Sequence, residues 1–80
     1  MDARSALRHV VSMSGKTAAA VSQEMGLTRN FVTNTISRGS APRLDTFARI
    51  ASACGYEVVL RGYGEEVIVE PEEQVAIEYQ

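Results

Sequence analysis

From the N-terminus to Gly55 the apolar residues recur at helical spacing in four short runs, each closed by a glycine. This punctuation limits the chain to short helices joined by tight connections. In the first run, Asp2 caps the opening amides, and Ala3, Leu7, Val10 and Val11 form one stripe before Gly15. Thr17 then opens a second helix through Met25, with Ala20, Val21 and Met25 on one face and Gly26 as a left-handed stop. Thr28 is the expected cap of a third helix over residues 29 to 38, whose inward face is Val32 and Ile36, and Gly39 closes it. The connection between the second and third helices is expected to be only three or four residues long. A fourth helix is expected over residues 43 to 53, with Leu44, Phe47, Ile50, Ala51 and Cys54 as its core stripe.

Beyond Gly55 the period changes. Residues 56–61 and 66–70 are rich in β-branched side chains and flank a glycine-bearing connection at residues 62–65, which predicts an antiparallel hairpin. After Pro71, the alternation of Val75, Ile77 and Tyr79 with polar neighbours reads as a third strand, with a disordered acidic tail as the alternative. The expected fold is therefore mainly α: a helical domain over residues 1–55 with a C-terminal β extension over residues 56–80 in the same unit. Eighty residues supply one core and not two.

Several classes of function find no support. There is no apolar run of membrane-spanning length and no signal-peptide pattern, so a cytoplasmic protein is expected. The single cysteine, Cys54, cannot make an intrachain disulfide and lies on an apolar stripe, and His9 is the sole histidine. No metal-ligand set is present, and neither a cofactor nor an enzymatic activity is expected. Gly15-Lys16-Thr17 imitates the end of a phosphate-binding loop, but Val10 stands where that motif requires its first glycine.

Charge is divided along the chain. Residues 1–62 carry a net +4 and residues 63–80 carry six glutamates and no base, so the overall charge of −2 conceals a basic front half. Because salt screens fields beyond about 8 Å, a DNA backbone would respond to that local charge. The second and third helices form the positive signal. With Val32 and Ile36 turned inward, the opposite face of the third helix carries Arg29, Asn30, Thr33, Asn34 and Ser37. Arginine bonds guanine bidentately, asparagine does so to adenine, and a threonine methyl can touch that of thymine. An ordinary solvent face would favour Glu and Lys for helix propensity, and this one has neither.

Residues 4–55 resemble the xenobiotic-response-element, or Cro-and-phage-repressor-like, helix-turn-helix family. The likeness is carried by the sequence TAAAVSQEMGLT at residues 17–28, by RGSAPRLDTFARIA at residues 38–51 and by Cys54-Gly55-Tyr56. It implies a four-helix lambda-repressor-like domain in which the third helix reads bases, here with Arg29, Asn30, Thr33 and Asn34. Phosphate contacts from the start of the second helix and the loop after the third would fall to Thr17, Ser40 and Arg43. The basic and hydroxyl side chains Lys16, Ser37 and Arg38, near the ends of the motif, complete the expected set. Ala18 stands where the family commonly has a glutamine, and residues 28–39 are one longer than its commonest spacing.

The resemblance also implies a homodimer on a palindromic operator, since one such motif covers one half-site. The strands supply a means. Val58, Leu60, Val67 and Val69 can line one face of the hairpin while Val59 and Ile68 occupy the other, an excess of apolar surface for one small core. A sheet folded back on its own helices is the alternative. The functional expectation is a repressor-like transcriptional regulator of double-stranded DNA. A second possibility is an antitoxin whose C-terminal segment binds a toxin protein, and a third is an adaptor that keeps the fold without binding DNA.

Overall fold

The computed structural model describes residues 1–71. Local capping accounts for the first two helices. Asp2 Oδ1 accepts the Ser5 amide at 2.9 Å and starts α1 (Ala3–Ser14). Hydrogen bonding from the Ser5 backbone, then from its side chain, holds the Asp2 carboxyl below its ordinary pKa. Thr17 Oγ1 accepts the Ala20 amide at 3.0 Å and starts α2 (Ala18–Glu24). Gly26 follows at φ 79°, a left-handed turn that a branched side chain would resist.

The third helix begins later than the sequence predicts. α3 spans Phe31–Ser37, and no side chain of its own caps it. The Phe31 amide instead donates to the Thr28 carbonyl at 3.0 Å, so Arg29 and Asn30 lie in the turn before the helix. The connection from α2 therefore runs over residues 25–30 and is longer than expected. Its physical reason lies in α2: buried Ser22 accepts the Val32 amide on Oγ at 3.0 Å while donating to the Ala18 carbonyl at 2.8 Å. One hydroxyl caps α3 from the neighbouring helix, and a local Thr28 cap is not required.

α4 spans Leu44–Ala53. Its inward stripe includes Ile50, Ala51 and Cys54 as expected, but Leu44 remains 54% exposed in the first turn, beside Pro42, Phe47 and Met1. Ala48, 2% exposed, takes the inward position at this end. Leu7, Val10 and Val11 of α1 meet Val21, Val32, Ile36, Ile50 and Cys54 in one core. Fully buried Leu7 and Ile50 each contribute about 1.5–3 kcal/mol through removal of their surface from water.

The chain leaves α4 through Gly55 at φ 87°, with the Tyr56 amide bonded back to the Ala51 carbonyl at 2.9 Å. That exit holds Tyr56 and delays the strand. β1 (Val58–Gly62) pairs antiparallel with β2 (Glu65–Val69), in register Val58 with Val69, Val59 with Ile68, and Leu60 with Val67. The turn is only Tyr63-Gly64, at φ 51° and 75°, the primed geometry that matches strand twist. Gly62 and Glu65, expected in the connection, form the last rung of the ladder. The third strand predicted from Val75, Ile77 and Tyr79 lies outside the described residues. No helix among the described residues is long and apolar enough to cross a membrane.

Candidate nucleic-acid interface

Burial of Val32, Thr35 and Ile36 fixes which side of α3 faces outward. Thr35 returns its hydroxyl to the Phe31 carbonyl at 2.9 Å and presents nothing to solvent. Thr33, Asn34 and Ser37 lie on the exposed side, and Arg29 and Asn30 precede them in the exposed turn. Positions 30, 33, 34 and 37 follow the three-and-four spacing of one helical stripe. All four base-reading candidates are exposed, Arg29 and Asn30 in the turn that leads into α3 and Thr33 and Asn34 on the outward side of the helix.

The phosphate candidates divide. Ser37, Arg38 and Ser40 are exposed at the end of α3 and in the loop after it. The Arg4 guanidinium of α1 bonds the Arg38 carbonyl, which ties that end of α3 down while the Arg38 side chain stays outside. Arg43 reaches Asp45 at 3.0 Å but is 82% exposed, and such an ion pair holds it only weakly. Thr17 uses its oxygen as the α2 cap. Lys16 is placed differently: its ammonium meets Glu24 at 2.7 Å and the Ala53 carbonyl at 3.2 Å, where α2 and α4 end.

Arg8 and Ser12 were not among the sequence candidates. They line a shallow depression with Ala18, Thr33 and Ser37, floored by Val11 and Ile36. The signal was present in the four-residue spacing of Arg4, Arg8 and Ser12 along α1, a row that flanks the buried stripe of Leu7, Val10 and Val11 on the Val11 side. What the spacing lacked was the position of that side relative to α3. Ser22 was also missed, because a serine inside a helix gives no hint that another helix will use its oxygen.

The six hairpin candidates lie at graded exposure. Val58 and Val69 are half-buried beside α4, whereas Val59, Leu60, Val67 and Ile68 are exposed by 37%, 56%, 46% and 51%. Cys54 is buried, and desolvation pushes its thiol pKa up, so it is a core residue rather than a nucleophile. Among the described residues no group of three His, Cys, Asp or Glu side chains is placed to hold a metal ion. Comparison of the chain with protein-family models, with curated proteins and with solved structures finds no match.

Proposed function

We propose that the protein is a sequence-specific DNA-binding transcriptional regulator of the lambda-repressor-like helix-turn-helix type, acting in the cytoplasm as a homodimer on a palindromic operator. The observation that carries this reading is the exposed surface made by Arg29, Asn30, Thr33, Asn34 and Ser37, with α3 fixed to α2 through Ser22 and to α1 through Arg4. A rigid polar surface of this kind suits the major groove, where guanidinium and amide groups discriminate bases. Ala18 brings a methyl where the resembled family has an amide. Positioning on that flank falls to Arg8 and Ser12, which share the depression with Thr33 and Ser37.

Selection of bound fragments from random double-stranded DNA tests the proposal. Against the selected site, Arg29→Ala and Asn34→Ala should each cost about 1–3 kcal/mol and relax the base preference. Arg8→Ala should weaken cognate and random DNA alike and lower the salt slope by about one. Equal losses on cognate and random sequences for all three variants would refute the reading surface.

A further inference from the structure

We infer that the two copies of the dimer join through the outer edge of β1, antiparallel and centred on Val59, so that Glu57 of each chain faces Arg61 of the other. The inference deepens the dimeric reading above and rests on it for the two-fold symmetry. The hairpin geometry restricts the register, and charge complementarity fixes its centre. Its two-residue turn closes on Gly62 and Glu65, so the ladder bonds alternate through residues 62, 60 and 58 of β1. The backbone groups of residues 57, 59 and 61 therefore point away from β2. Among the described residues, none of them has a hydrogen-bond partner.

A second β1 can meet this edge only by aligning odd-numbered residues with odd-numbered ones. Centred on Val59, the pairing places Val58 against Leu60 of the other copy on one face. On the other face it sets two reciprocal Glu57–Arg61 pairs around the axis. Arg61 already bonds Glu66 through Nε and Nη2 at 3.0 and 2.8 Å. It is 78% exposed and retains further N–H donors for a second carboxylate. Opposite charges facing across strands stabilise the pairing, and like charges oppose it.

The other edge fails the same test. The free groups of β2 fall at residues 66, 68 and 70, and self-pairing about Ile68 would set Glu66 against Glu70 twice. Those glutamates protect the edge from addition. Pairing β1 of one copy with β2 of another leaves a β1 edge and a β2 edge open at the two ends, so further copies add in the same way and the assembly does not close. Pairing β1 with β1 closes into a four-stranded sheet and makes exposed Leu60 continuous with Val58, Val67 and Val69 of both copies.

Sedimentation of the full chain without DNA tests this separately from operator binding. The wild type should be a dimer at micromolar concentration, and Glu57→Arg should raise its dissociation constant about tenfold. R61E/E66R, which preserves the ion pair within the hairpin, should weaken the dimer similarly, and E57R/R61E/E66R should restore it. Amide exchange at Val59 and Arg61 should slow as protein concentration rises. A monomer, a dimer indifferent to Glu57→Arg, a triple variant without rescue, or protection independent of concentration would overturn the inference. Failure to select any DNA site would leave these outcomes unchanged and would count against the operator reading alone.

Discussion

Ser22 joins the two helices on which the proposed function depends. Its hydroxyl donates to Ala18 and accepts from Val32, and no solvent reaches it. Removing the oxygen leaves the Val32 amide buried without a partner, which costs about 1–3 kcal/mol. Ser22→Ala should lower stability by that amount in urea melts and loosen DNA binding further, because α3 loses its cap. An unchanged midpoint would show that water replaces the hydroxyl. Lys16 offers a contrast: its contacts with Glu24 and Ala53 are exposed, so Lys16→Ala should change stability by less than about 1 kcal/mol. Random-DNA binding should stay close to wild type, and a loss matching that of Arg8→Ala would show that the ammonium swings out to phosphate.

The hairpin is the element in which local preference and observed geometry disagree. Tyr63 holds φ 51° with its side chain in solvent, a left-handed conformation that costs a non-glycine residue roughly 1 kcal/mol. Asparagine tolerates that conformation and precedes glycine in the favoured two-residue turn. Tyr63→Asn should therefore stabilise the hairpin by up to about 1 kcal/mol, read from slower amide exchange at Leu60 and Val67. Faster exchange would mean that the exposed ring makes a contact worth more than the backbone strain. The α3 element shows the opposite situation. Asn and Thr on its outer side are poorer helix formers than Glu or Lys, and the helix persists because Val32 and Ile36 are buried and Ser22 caps it.

Across the whole molecule, charge separates along the chain. The proposed DNA surface belongs to the +4 segment, whereas β2 and the residues after it hold six glutamates. The molecule extends over 39 × 32 × 25 Å, and the screening length grows from about 8 Å at physiological salt to about 30 Å at 0.01 M. At low salt the glutamates thus act over the full width of the protein. Replacing Glu72, Glu73 and Glu78 by Gln should raise affinity for random DNA severalfold there and leave it unchanged at high salt. Titration by fluorescence anisotropy would measure both limits, and equal affinity at low salt would place these charges on the side away from the duplex.

Elements that depend on nearest neighbours were determined by the sequence itself. The caps at Asp2 and Thr17, the stripe of α1 and the antiparallel hairpin all follow from residues a few positions apart, where spacing alone sets the geometry. The exposed side of α3 was legible for the same reason, since Val32 and Ile36 leave only one side outward. Tertiary structure decided the rest. The late start of α3 depends on an oxygen ten residues away, and the placement of Arg8 beside Thr33 depends on how α1 crosses the pair. The turning of Lys16 toward Ala53 required α4 to end against α2. Each of these brings together groups that are distant along the chain, and periodicity within one element carries no record of which neighbour will meet it.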